Sequence, residues 1–153
     1  LSNILRNSLI MDKKKLINFE DEMRTVKDYL DLEIVRFEER LKTDFNIHEG
    51  SNQFEVPPLM VQTLVENGIK HGISTLVEGG ILQVCTEVKD SRLHIHIRNS
   101  GQLKEVSIAK KEGYGIENTK QRLKLIFGNT ASFRIYNENE QYVLTEVVIP
   151  KSF

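Results

Sequence analysis

Residues 56–72 read VPPLMVQTLVENGIKHG and have the spacing of one amphipathic helix. Pro57 and Pro58 suit the first turn of a helix, because a first turn leaves its N–H groups unpaired and proline has none. Apolar residues then recur at helical spacing and predict a buried stripe, formed by Val61, Leu64, Val65 and Ile69. The polar residues project from the opposite side of the same helix: Thr63, Glu66, Asn67, Lys70 and His71.

This polar face has two interpretations. A solvated surface is the default for an amphipathic helix. A ligand-binding face is the alternative, because the amide oxygen of Asn67 is a suitable ligand for Mg²⁺ and the ammonium of Lys70 suits phosphate. Gly68 lies inside the helix, where glycine costs about 1 kcal/mol relative to alanine. Its small size predicts the close approach of a neighbouring element.

The composition is that of a globular protein of about one domain. The chain has 153 residues, of which 39% are hydrophobic and 28% charged. Its 21 basic and 22 acidic residues nearly cancel, which argues against a nucleic-acid or membrane-surface protein. No apolar run approaches the roughly 20 residues of a membrane span. The single Cys85 fits a reducing compartment and is expected to be buried in a strand. The chain begins at Leu1 rather than Met, so we expect it to be a fragment.

The remaining periodicities predict an α+β fold with helices on one face of a mixed sheet. Asn18 is a candidate N-cap for a long amphipathic helix that runs to about Glu39. Its apolar stripe, from Phe19 to Leu41, is expected to pack against the domain or a partner helix, and to be where upstream acceptor helices and a second protomer dock. The other predicted elements are a short helix at 1–11, strands at 40–48, 81–88, 92–99, 132–137 and 141–149, and a helix from Ile116 to Gly128.

Two histidines share one face of the strand at 92–99. His94 and His96 have a spacing that could hold a metal, but no cysteine or carboxylate accompanies them, so a solvent-facing side of the sheet is the favoured interpretation. His48 is expected to be an exposed residue at the end of its strand.

Two further segments accompany the polar helix face. One is the turn at 99–103. The other, GYGIENTKQRL at 113–123, is a glycine pair followed by a helix start. Glycines let backbone N–H groups approach a phosphate, and a helix N-terminus adds positive potential. A flexible loop that simply leads into a helix is the alternative.

In this order and spacing the segments resemble the GHKL ATPases, and most of all the LytS-like sensor histidine kinases. LVENGIKHG (64–72) resembles their N box, IRNSGQL (97–103) and GYGIENTKQRL their two glycine boxes, and LTEVVIP (144–150) their closing strand. LSNILRNSL and FEDEMRTVKDYLDLEIVRFEERL are similar to the segments upstream of that ATPase domain. The resemblance implies a two-layer α/β sandwich of the GHKL (Bergerat) type, with a mixed, mostly antiparallel sheet, helices on one face and additional N-terminal helices. It divides the chain into a helical segment at 1–39, the C-terminal part of a dimerisation and phosphoacceptor region, and an ATP-binding catalytic domain at 40–153.

The resemblance also assigns roles to residues. It implies that Asn67 binds Mg²⁺, that Lys70 and His71 face the phosphates of ATP, and that Glu66 is a candidate to assist the metal or a water. Asn99 stands where the family has an aspartate that accepts a hydrogen bond from the adenine amine. The other implied nucleotide-binding residues are Gly101 beside the base, Gly113, Tyr114, Gly115 and Ile116 at the phosphates, Asn118 and Arg122 in the following helix, and Thr145 in the base pocket.

Four positions depart from the family pattern. Asn99 replaces Asp, which leaves a neutral and therefore weaker acceptor. Leu103 and Leu144 replace glycines. Thr63 stands where GHKL hydrolases carry a base that activates water, which fits a kinase. The family's acceptor histidine lies in an Asn-Pro-His-Phe motif, and none of the four histidines has that context: His48, His71, His94 and His96.

The implied function is the ATP-binding catalytic portion of a two-component sensor histidine kinase. Such an enzyme transfers the γ-phosphoryl of Mg–ATP to a histidine and then to an aspartate of a response regulator. The expected partners are ATP, Mg²⁺, the response regulator and, in the full-length protein, a second protomer; no nucleic acid or membrane contact is expected of this fragment. The expected location is cytoplasmic, with the parent protein anchored in the bacterial inner membrane. Two alternatives are a degenerate nucleotide-binding scaffold and a GHKL protein-serine kinase.

Overall fold

A computed structural model of the chain describes residues 15–103 and 113–151. The predicted helix at 1–11 lies outside these residues. The described part contains three α-helices: α1 (Phe19–Phe37), α2 (Met60–His71) and α3 (Gly113–Phe127). Its strands are β1 (Ile17–Asn18), β2 (Leu41–Asn46), β3 (Glu55–Val56), β4 (Gly80–Lys89), β5 (Arg92–Ser100), β6 (Ser132–Asn137) and β7 (Tyr142–Pro150).

Five strands form one sheet in the order β2-β4-β5-β7-β6. β2 runs parallel to β4 and the other neighbours are antiparallel, so the predicted mixed, mostly antiparallel sheet is confirmed. β1 and β3 form a separate antiparallel pair of two residues each, which the periodicity did not predict. Asp90 and Ser91 both have positive φ and close the predicted β4–β5 hairpin.

The two faces of the sheet differ in polarity, as the alternation in β5 predicts. Leu93, Ile95 and Ile97 are fully buried on the face that meets the helices. His94 and His96 lie half-buried on the other face, away from the core, as the solvent-side interpretation expects. The expectation that no cysteine or carboxylate accompanies the pair is wrong, because neighbouring strands place Cys85 and Glu146 opposite His96. The expected burial of Cys85 is wrong, because the alternation in β4 turns Leu82 and Val84 inward and leaves Cys85 half-buried opposite His96.

The inward face and all three helices contribute to one hydrophobic core. Asn18 caps α1 as predicted, since its side chain accepts a hydrogen bond from the Glu20 N–H at 2.8 Å. α1 ends at Phe37, two residues earlier than expected, because Glu38 takes φ 55° and breaks the helical path. Its apolar stripe is buried inside this same unit, so the expectation that upstream helices or a second protomer dock on the stripe is wrong. The exposed apolar residues of α1 are instead Leu32 and Val35.

The beginning of α2 also corrects the sequence interpretation. Val56 belongs to β3, and both prolines precede the helix, which starts at Met60. The reason is Leu59, whose φ of 65° and ψ of 7° are left-handed and cannot extend a right-handed helix toward the prolines. α3 begins three residues before the expected Ile116 and ends before Gly128, whose φ of 63° is typical of a residue after a helix end. Among the described residues, no helix has the length and apolar character needed to cross a membrane.

Candidate functional site

A cleft of about 730 Å³, counting its part open to solvent, lies between α2, α3 and the adjoining ends of β5 and β7. Five of the predicted site residues line it: Asn67, His71, Asn99, Ile116 and Thr145. The lining also includes residues that the sequence did not single out as a site: Leu64, Thr75, Gln102, Ile135 and Val143. These are mostly apolar, so the cleft combines an apolar wall with a few polar groups, which is typical of a small-molecule site.

Asn99 is held in one orientation in the wall of this cleft. The residue is 5% exposed, and its side-chain amide nitrogen donates a hydrogen bond to the Ser100 carbonyl at 3.0 Å. A carbonyl oxygen only accepts, so the NH₂ group must face Ser100 and the amide oxygen must face away from it. That oxygen lies 3.1 Å from the point where a Cβ on Gly68 would stand. Asn99 therefore presents an acceptor beside α2, and its contact with an adenine amine stays a prediction.

Glycines make this close packing possible. A Cβ on Gly68 would press on Asn99 and Leu82, so the predicted close approach at this helical glycine is confirmed. A Cβ on Gly72 would overlap the Asn99 amide nitrogen and stand 2.6 Å from the Ser100 carbonyl oxygen. Gly101 has φ 127° and leaves only 2.8 Å between a Cβ and the Gly72 Cα. Gly101 thus shapes the backbone next to the cleft without lining it.

Asn67 stands at the junction of α2 and α3. Its amide nitrogen is buried and has no hydrogen-bond partner among the described residues. A Cβ on Gly115 would lie 3.1 Å from the Thr63 methyl group and 3.2 Å from the Asn67 amide nitrogen. Gly115 therefore lets the first turn of α3 approach α2. Gly113 and Tyr114 belong to the same first turn, and residues 104–112 before them lie outside the described residues.

Three polar residues of the predicted site, Glu66, Lys70 and Asn118, are among those that do not line the cleft. Lys70 and Asn118 are exposed. The Glu66 carboxylate accepts a hydrogen bond from the Gln62 side chain at 3.0 Å, one turn earlier on α2. Their contacts with phosphate, metal or water stay predictions.

The predicted phosphate neighbour Arg122 also lies away from the cleft lining. Its guanidinium donates to the Pro58 carbonyl at 2.9 Å. On the other side of that turn, Glu22 of α1 is fully buried, and its carboxylate accepts from the Leu59 N–H at 2.9 Å and the Gln62 N–H at 3.1 Å. The structure thus gives Arg122 a structural contact where the resemblance implies a nucleotide contact, and the latter stays a prediction.

Burial shapes the charges of both groups. It raises the pKa of Glu22 above its ordinary value, against the opposing effects of the backbone N–H groups and of Arg122. It lowers the pKa of Arg122, against the opposing effect of Glu22. Glu22 was not among the predicted site residues, although the sequence offers a signal: an acid at i+3 from Phe19 lies on the apolar stripe of α1, where an unpaired charge is costly.

The described residues fit a magnesium ion that arrives with a nucleotide better than one held by the protein alone. No group of three or more His, Cys, Asp or Glu side chains in the described ranges could hold a metal. Mg²⁺ commonly keeps several waters and takes few protein ligands in addition to substrate phosphates. The Asn67 amide oxygen, in the lining of the cleft, could serve as such a single protein ligand.

Comparisons with known proteins agree on one family. A family model described as histidine kinase matches residues 1–41. The sensor protein LytS of Enterococcus faecalis is 30% identical over 148 residues, which cover 90% of this chain and 25% of that protein. The sensor histidine kinase/phosphatase LytS of Staphylococcus aureus is 31% identical over 147 residues, or 88% of this chain and 25% of that protein. The chain therefore spans about a quarter of the length of the curated relatives it matches.

Solved structures show the same fold. The catalytic domain of histidine kinase ThkA superimposes with a TM-score of 0.66 at 16% identity, over 90% of this chain and 96% of that chain. Histidine kinase AdeS of Acinetobacter baumannii does so with a TM-score of 0.65 at 14% identity, over 91% of this chain and 68% of that chain. The sequence relatives place this chain in the LytS-like family of sensor histidine kinases, and the solved structures show that it has the fold of a histidine kinase catalytic domain.

Proposed function

We propose that this chain is the ATP-binding catalytic portion of a sensor histidine kinase. The proposed reaction moves the γ-phosphoryl group of Mg–ATP to a histidine and then to an aspartate of a response regulator. The orientation of Asn99 carries the proposal, because a fixed acceptor in an apolar cleft suits the amino group of an adenine ring. We further propose that the parent protein acts as a homodimer anchored in the inner membrane, with this portion in the cytoplasm.

The residues of the cleft would divide the work between base and phosphates. The Asn99 oxygen would accept from the adenine amine, while Leu64, Ile135 and Val143 would cover the ring. Asn67 would place its amide oxygen on Mg²⁺, with Lys70 and His71 close to the phosphates. The ion would neutralise charge that develops on the phosphates, and catalysis of phosphoryl transfer is mostly such positioning and neutralisation. Thr63 provides no general base for water, which suits transfer to a histidine rather than hydrolysis.

Calorimetric titration tests this function. The wild-type chain should bind ATP and ADP only weakly without Mg²⁺ and more tightly with it. Asn67→Ala should remove most of the gain from Mg²⁺ without abolishing adenosine binding. Asn129→Ala, which removes an exposed amide in the turn after α3, is the matched control and should leave both titrations unchanged. A wild-type chain with no Mg-dependent ATP affinity would instead be a degenerate scaffold.

A further inference from the structure

One peptide group, between Pro58 and Leu59, is held at both of its polar atoms by two different helices. Its oxygen accepts from Arg122 of α3 at 2.9 Å, and its N–H donates to Glu22 of α1 at 2.9 Å. The second carboxylate oxygen of Glu22 accepts from the Gln62 N–H at 3.1 Å. Because both side chains meet at this peptide and have opposite charge, α1, α2 and α3 are tied together at one point.

The held peptide leads directly into an unfavourable backbone conformation. Leu59 has φ 65°, and a left-handed conformation costs a non-glycine residue about 1–2 kcal/mol. Leu59 is 46% exposed, so packing of its side chain does not hold this conformation in place. No side chain caps α2 from the Leu59 position itself. The carboxylate of Glu22 supplies the missing cap from another helix and also complements the positive end of α2.

The start of α2 determines where its cleft residues stand. Asn67 and His71 follow Met60 by seven and eleven residues on a rigid helix, and Gly68 fits against Asn99 with little space to spare. Arg122 lies on the same helix as Gly115, where an added Cβ would stand 3.2 Å from the Asn67 amide nitrogen. A change in the Pro58–Leu59 turn would therefore move the polar face of α2 and the first turn of α3 together.

We propose that Glu22 and Arg122 are positioning residues that set the nucleotide site through the Pro58–Leu59 peptide. This inference rests on the proposed function and differs from a direct contact between Arg122 and phosphate. If Arg122 bound phosphate directly, its loss would weaken the binding only of ligands that carry phosphates, and the effect would not depend on Glu22. If Glu22 and Arg122 position the site, loss of either residue disturbs the same Pro58–Leu59 turn and weakens the binding of every ligand of the cleft.

Binding of Mg–ATP and of adenosine by Glu22→Gln, Arg122→Gln and the double variant separates these two roles. Each single variant should bind both ligands about fivefold more weakly than the wild type. The double variant should bind them only slightly more weakly than either single variant, because the effects of substitutions within one hydrogen-bond network are not additive. Arg122→Lys keeps a charged donor and should recover much of the loss. Lys124→Gln removes an exposed charge from the same helix and should change neither ligand. Loss confined to Mg–ATP, or additive losses in the double variant, would overturn the proposal.

Hydrogen exchange of the Leu59 amide in the wild-type chain provides a readout that needs no variant to fold and no ligand to bind. A buried carboxylate partner should protect this amide, and exchange at the rate of a free peptide would overturn the proposal. If the amide is protected but the wild-type chain binds no ATP, the proposed function fails while the peptide contact stands.

Discussion

Of the glycines that line the cleft, Gly72 should tolerate replacement by alanine least, with loss of both stability and ATP binding. The new Cβ would overlap the Asn99 amide nitrogen and stand 2.6 Å from the carbonyl oxygens of Gly68 and Ser100. Two of these three neighbours are backbone atoms, and Asn99 is already held by its bond to Ser100. None of them can rotate away as the far end of a flexible side chain would.

The magnitude follows from overpacking. Added methyl groups in a well-packed interior typically cost about 1–3 kcal/mol, and rigid neighbours place Gly72→Ala at about 3 kcal/mol. For a chain of this length each 1 kcal/mol lowers the melting temperature by about 2–4 °C, so a fall of roughly 6–12 °C is expected. Gly68→Ala faces a milder contact of 3.1 Å with the Asn99 oxygen. Its gain in helix propensity of up to about 1 kcal/mol should offset much of that strain.

Thermal unfolding followed by circular dichroism, together with ATP titration well below the transition, measures both effects. Gly72→Ala should lose stability and ATP affinity together. Gly68→Ala should melt close to the wild type yet bind ATP about fivefold more weakly, because its Cβ displaces the Asn99 acceptor and weakens one hydrogen bond by about 1 kcal/mol. Gly128→Ala is the control: its Cβ meets no atom within 4 Å, so it should show only the strain of its positive φ and unchanged binding. A shift of the melting temperature by less than about 2 °C corresponds to less than about 1 kcal/mol of destabilisation. A Gly72→Ala chain with so small a shift and with normal ATP binding would refute this account of the cleft.

Three further outcomes are expected. Asn99→Ala should weaken ATP binding by about tenfold, since an unmade buried hydrogen bond costs about 1–3 kcal/mol, and should change GTP binding little. Equal losses of affinity for ATP and GTP would contradict the proposed hydrogen bond between Asn99 and adenine. Arg98 donates two hydrogen bonds of 2.6 Å to Glu138 and holds the pKa of that carboxyl below its ordinary value of 4.5, so this contribution to stability is present above pH 4.5 and is lost as the pH falls through the lowered pKa. Urea unfolding should therefore show the wild type losing its advantage over Glu138→Gln on acidification, and a constant difference would speak against it. Incubation with γ-labelled Mg–ATP should leave all four histidines unlabelled, because His71 lines the cleft while His48, His94 and His96 lie on the sheet or at its edge. An acid-labile label on any of the four would disprove this prediction.

The sequence by itself determined the local elements of this protein. Periodicity predicted α1 with its Asn18 cap, the alternating faces of β5 and the hairpin between β4 and β5, because side-chain spacing reflects burial within one element. It also predicted the polar face of α2 and the need for a small residue at Gly68. The motifs in their order led to Asn67, Asn99 and Thr145, three residues that do line the cleft.

Only the tertiary structure decided how distant elements hold one another. Glu22 meets Leu59 across 37 residues of chain and Arg122 meets Pro58 across 64, and no local spacing encodes such pairs. These contacts explain why α2 starts at Met60 and not at the prolines. The orientation of the Asn99 amide likewise depends on Ser100 and on the closeness of Gly72, which is a matter of packing between elements. Periodicity reports which face of an element is buried, while the partner of that face depends on how the whole chain packs.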